Sequence, residues 1–249
     1  MKARTLLIAT ALFLTLTSCM SIALSLMGVY KDEAEIETYN SNDRTMVYIP
    51  MRHIGTKGFY KNVTHKIDSL QDEGYIVFME SVAMDTLKVS KAKRDTIYLK
   101  MRKIAGVNIS RSGYLDTVNN RLMGRRYKNR RDLINQPRYT VLGTDSIKDR
   151  IVDVPMDKLV EEYELQFGKI ILNPCDYTTG PDEKYDCGKA PEGNKDYVVL
   201  TYRNKKLAEA IMNEPHKKIA VVYGALHETG LYNQLKQQDT TWKWKYHYP

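Results

Sequence analysis

The sequence is short of the residues on which common scaffolds and catalytic devices depend. Three cysteines among 249 residues are too few for a disulfide framework. The five histidines include no HExxH pair, since His227-Glu228-Thr229-Gly230-Leu231 lacks the second imidazole. There is no GxSxG elbow, Walker A loop, GxGxxG turn or CxxC pair, so none of those motifs supplies a mechanism. No second apolar segment is long enough to span a bilayer, which excludes a polytopic membrane protein. What is present is ordinary for a globular chain: 43% hydrophobic and 27% charged residues, with a formal net charge of +8. Collagen-like, low-complexity and wholly disordered chains are thereby excluded. A chain of this length buries roughly 70–75% of its unfolded surface, enough for a core without staples.

The N-terminus reads as an export signal. Lys2 and Arg4 precede an uncharged apolar run over 6–14, and Leu16-Thr17-Ser18-Cys19 resembles a bacterial lipobox. Cleavage after residue 18 would leave a chain tethered by lipid on Cys19. The alternative is an uncut membrane anchor reaching to about residue 30, because apolar residues resume at Ile22-Ala23-Leu24. Both readings place residues 31–249 outside the cytoplasm, on the periplasmic or surface side of the cell envelope, as a single domain. In that oxidising setting Cys175 and Cys187, twelve residues apart around a Gly/Pro/Asp-rich run, are candidates for a loop-closing disulfide. A metal site there is disfavoured by the lack of a nearby histidine.

Hydrophobic periodicity predicts an α/β fold: a mixed, largely parallel sheet flanked by helices, with a basic helical insertion between two βα-rich halves. Thr45–Met51 reads as a strand, Phe59, Val63, Ile67 and Leu70 as one face of a helix stopped by Gly74, and 75–79 as a strand buried on both faces. That is a βαβ unit with parallel strands. Towards the C-terminus, Met156, Leu159, Val160, Tyr163 and Phe167 mark a helix between Pro155 and Gly168. Strands are expected at 169–172, 197–202 and 219–223. Helices are expected around Leu207–Met212 and Leu231–Leu235, and an alternating terminal strand carries Trp242, Trp244, Tyr246 and Tyr248. Between the halves, residues 86–150 hold seventeen lysines and arginines against five aspartates, a local excess of twelve positive charges. Leu115, Val118, Leu122 and Met123 predict a helix here with a basic C-terminal end. The region suits anionic headgroups or an acidic substrate, or is a solvated insertion; nucleic acid is a poor partner for an exported chain.

Four polar residues lie just beyond the expected strands: His53, Glu80, Arg203 and His227. In a parallel α/β sheet the carboxyl edge is where strand ends and helix N-termini form a crevice, so neighbouring strands would bring these groups together. Two imidazoles and a carboxylate suit a divalent transition metal with open water positions, and the guanidinium suits a developing oxyanion. Each also has a plainer role, Glu80 as the ion-pair partner of Arg203 among them. His65, His216 and His247 read as surface or structural groups.

The segments Met51-Arg52-His53-Ile54-Gly55, 74–80, Arg203-Asn204 and 218–231, with Gly224-Ala225-Leu226-His227, resemble the TraB/GumN family. That family includes Tiki-type proteases and belongs to a wider group with erythromycin-esterase-like and haem-binding members. The resemblance spans about residues 45–238. It implies an α/β fold and a metal-dependent hydrolase in which His53, Glu80 and His227 hold the metal and Arg203 assists. The second GxxH motif is carried by Gly224 and His227; the first has Pro50 in the glycine position. A peptide or other small substrate is then expected, or, on the same scaffold, binding of haem or of an anionic surface without turnover.

Overall fold

The computed structural model describes residues 20–84, 87, 89–107, 113–129, 131–181 and 183–248. The expected signal segment and Cys19, and Lys88, Arg111 and Arg130 of the basic region, lie outside the described residues. The chain runs β1 (Ile36–Asn40), β2 (Thr45–Met51), β3 (Ile54–Gly55), α1 (Lys57–Asp72), β4 (Ile76–Met79) and α2 (Lys91–Ala105). Five two-residue strands follow: β5 (Leu115–Asp116), β6 (Arg121–Leu122), β7 (Arg125–Arg126), β8 (Ile134–Asn135) and β9 (Arg150–Ile151). Then come α3 (Met156–Phe167), α4 (Pro174–Thr178), α5 (Glu192–Asp196), α6 (Arg203–Asn213), β10 (Lys218–Gly224), α7 (Glu228–Gln238) and β11 (Lys243–Tyr248).

The main sheet has the order β11-β1-β2-β10-β4-β9. The β2–β10, β10–β4 and β4–β9 pairs are parallel, and β1 is antiparallel to both β2 and β11. The expected α/β class and the parallel direction of β2 and β4 are therefore found, with β10 inserted between them. Alternation along β2 explains the layers. Val47, Ile49 and Met51 pack with Phe59, Val63, Ile67 and Leu70 of α1, while Met46 and Tyr48 pack with Leu207, Ile211, Leu231 and Leu235 of α6 and α7. With both faces covered, the central strands read as unbroken apolar runs. Helix α1 starts where Thr56 accepts from the Phe59 amide (3.0 Å) and stops at Gly74, whose φ of +86° favours glycine. A second helical cluster, from α2 and α3 with Val198, stands beside the carboxyl edge.

Three expected elements differ. Tyr197–Tyr202 is a π-helical stretch leading straight into α6, not a strand; the helical sequences on either side of this short β-prone run override it. The 169–172 segment forms no regular element and pairs with no strand among the described residues. The helix expected around Leu115–Met123 is instead the antiparallel β5-β6-β7 sheet. Asn120 and Met123 (φ 52° and 50°) and Gly124 (φ 76°) adopt left-handed turns that a helix cannot contain. The basic region thus holds a helix, α2, earlier than expected. The sulfurs of Cys175 and Cys187 are bonded, with Cα atoms 5.5 Å apart.

Candidate functional site

Parallel pairing of β4 with β10 sets Met79 opposite Val222, so both strands leave the sheet at one edge. Glu80 follows β4, and its Oε2 accepts from the Gly224 amide at 2.6 Å. Gly224 has φ −52°, a backbone any residue adopts, so a sharp turn is not the reason for this glycine. A Cβ there would lie 3.1 Å from Glu80 Oε2; glycine lets the carboxylate reach the backbone. One 3₁₀ turn further on, Ala225–His227 delivers the imidazole.

Arg203 enters from the first position of α6. Its Nε and Nη2 donate to the two oxygens of Asp153 (2.9 and 2.7 Å), and Nη2 also donates to Glu80 Oε1 (2.6 Å). Nη1 donates to the Val199 carbonyl (3.2 Å) and faces His227 Nε2 (3.1 Å). A guanidinium has five N–H donors, and all five are engaged. Arg203 is a donor only, so His227 Nε2 carries the lone pair, and Nδ1–H donates to Asn204 Oδ1 at 2.7 Å. The side chains of Arg203, His227 and Asp153 are 5%, 5% and 0% exposed.

The electrostatics agree with this geometry. Burial, reinforced by the Arg203 charge, pulls the His227 imidazole down to about 4, so it is neutral at neutral pH. For Glu80 burial works to raise the carboxyl, but the charge and hydrogen bond of Arg203, with help from His227 and the Gly224 amide, hold it below the usual carboxylate range. Glu80 is therefore ionised, and its ion pair with Arg203, the plainer role open to it in the sequence, is formed.

His53 is placed differently. It is exposed, stacks on Tyr114 with ring centroids 4.6 Å apart, and makes no hydrogen bond with the other three among the described residues. It does share with Glu80 the walls of a pocket of about 370 Å³, together with Tyr98, Tyr114, Gln136 and Tyr139. Asp153 and Asn204 were missed from the sequence. Asp153 follows β9, two residues long and too short to read as a strand, while Asn204 adjoins Arg203 with no signal beyond that adjacency.

The metal set expected from His53, Glu80 and His227 is not assembled in this arrangement. Glu80 Oε1 and His227 Nε2 face the Arg203 guanidinium, which occupies the place a cation between them would take and would repel one. Among the described residues no group of three His, Cys, Asp or Glu is spaced to hold a metal ion. As arranged, the residues fit a guanidinium better than a divalent ion. No protein-family model, curated protein or solved structure matches the chain.

Proposed function

We propose that this chain is an exported, membrane-tethered hydrolase of the TraB/GumN kind, acting on a peptide or another amide or ester that enters the pocket between His53 and Glu80. The observation that carries the reading is the meeting of Glu80, Arg203 and His227, from three distant parts of the chain, at the carboxyl edge of a parallel sheet beside that pocket. His53, the exposed imidazole on its wall, is the group available to take a proton from an attacking water. Glu80 is ionised and retains unused lone pairs with which to orient that water or the imidazolium. Arg203, with no donor to spare, positions Glu80 and His227 and does not contact the oxyanion. That task falls to the hydroxyls of Tyr114 and Tyr139, which burial keeps protonated well above neutral pH.

The test is hydrolysis of a mixed peptide, amide and ester panel by the mature chain, with and without added zinc, manganese or cobalt. Turnover that falls about a hundredfold or more in His53→Ala, at unchanged melting temperature, is expected, because removing a general base costs ~10²–10⁴-fold. No turnover of any panel member, or equal turnover by the variant, overturns the mechanism. Activity only with added metal would restore the metal-bound form. A second reading, ligand binding without turnover, is favoured by the saturated Arg203 network; haem or a panel compound that raises the melting temperature without being consumed would support it.

Tethering rests on the lipobox-like Leu16-Thr17-Ser18-Cys19. Fatty-acid labelling of wild type that is lost in Cys19→Ala is the expected outcome. Among the described residues no helix is long and apolar enough to cross a membrane.

A further inference from the structure

The stretch immediately after Cys19 is held against the protein. Residues 20–26 are helical, and Leu24 and Val29 are buried against Leu115, Leu122, Tyr127 and Leu133 around the β5-β6-β7 sheet. The same stretch leaves Ile22, Leu26 and Met27 exposed at 56%, 85% and 72%. Three adjacent large apolar side chains left in water are a patch in search of a partner. Met20 and Met123 further wall a cavity of about 580 Å³ together with Arg125, Lys184 and Lys189.

Basic groups gather around this patch, interspersed with Asp116 of β5 and with Glu183, whose backbone passes beside Gly124. Lys184 is matched by Asp186 at 2.6 Å, and Lys189 by Glu192 at 3.1 Å. Arg125 and Arg126 are exposed on β7 and form no ion pair among the described residues. Arg131 lies nearby, its guanidinium 4.8 Å from the Tyr30 ring centre. Exposed apolar side chains beside arginines suit the boundary between headgroups and acyl chains.

We infer that the face formed by residues 20–27 and the β5-β6-β7 sheet docks on an anionic phospholipid bilayer. The complementarity of apolar and cationic groups argues for this occupant, and so does the position of the patch, which begins three residues from the proposed lipid attachment at Cys19; that second argument rests on the lipoprotein reading. Docking there also fixes the pocket relative to the bilayer, because Tyr114, next to Leu115 of β5, stacks on His53.

The experiment uses the mature chain with Cys19→Ser, which carries no acyl group and keeps every strand of the sheet. Co-sedimentation is measured with vesicles of phosphatidylcholine alone and with about one-third phosphatidylglycerol. Binding is expected only to the anionic vesicles, weakening with salt, and falling about tenfold or more in the Arg125→Glu, Arg126→Glu double variant. Leu26→Asp with Met27→Asp should lower it as well, and all of these positions are exposed, so melting temperatures report any misfolding. Equal binding by parent and charge-reversed proteins, no binding to either vesicle, or equally strong binding to polyglutamate overturns the inference. Fatty-acid labelling of the wild-type chain is read separately. Vesicle binding without Cys19 labelling leaves the surface standing and removes the lipoprotein reading; labelling without vesicle binding does the reverse.

Discussion

Arg203 is the residue on which the candidate site is built, and its surroundings decide what its loss would do. Asp153 is fully buried and Glu80 nearly so, and both pair with one guanidinium. Arg203→Ala would leave them without a counter-charge, which costs about 3–5 kcal/mol where one partner of a buried pair is removed. Urea denaturation should show that loss, and Arg203→Lys should recover only part of it, because three donors on a point charge cannot replace a five-donor fork. His227 supplies a pH dependence. Its imidazole titrates near 4 in the fold and near 6.5 in the unfolded chain, so between those values the unfolded chain binds more protons. Stability must therefore fall as the pH drops from about 6.5 to about 4, by roughly 3 kcal/mol from this group. Glu80 works in the same direction below its ordinary 4.5. Melting curves of wild type and His227→Gln across that range should diverge, the variant losing the upper part of the acid descent. The site residues were legible where each lies just beyond an apolar run, as His53, Glu80 and His227 do. Arg203 was found by a wrong route, since the run before it is helical. Asp153 and Asn204 had no pattern to reveal them, because their roles exist only through Arg203 and His227.

At the scale of elements, the approach of α7 to α6 depends on a small residue. A side chain added at Gly230 would run into the amide nitrogen of Asn204, the residue that holds His227 Nδ1. Gly230→Ala should push Asn204 aside and leave a buried imidazole N–H without its acceptor, at a cost of about 1–3 kcal/mol. The same change made in Asn204→Ala protein should cost much less, so a double-mutant cycle by urea denaturation isolates the coupling. Local signals were strongest where an element carried its own stops: α1 ended by Gly74, and α3 between Pro155 and Gly168. They failed where spacing spoke against punctuation. Leu115, Val118 and Leu122 have near-helical spacing, but Gly113, Asn119-Asn120 and Gly124 around them are hairpin residues, and the turn chemistry prevails.

For the whole molecule, the order of strands was the least legible feature. Periodicity says that a strand is buried on two faces but not which strand lies beside it, and β10 comes between β2 and β4 after more than a hundred intervening residues. The same topology brings the first and last strands together, with β11 closing onto β1 and becoming the outer strand of the sheet. Trp242 anchors this closure. It is fully buried in the cluster formed by α6, α7 and one face of the sheet, and its indole N–H finds no hydrogen-bond partner among the described residues. Two substitutions separate what the ring contributes by packing from what its polar atom costs. Trp242→Ala removes the whole ring and should destabilise by about 3–5 kcal/mol, with a cavity left between α7 and the sheet. Trp242→Phe keeps much of the apolar contact and deletes the unsatisfied donor, so its loss should be clearly smaller than that of the alanine variant. Thermal melts of the three proteins order them. A phenylalanine variant as weak as the alanine one would mean that the indole is held by its shape alone, and that its uncompensated N–H is of no consequence to the closure of the sheet.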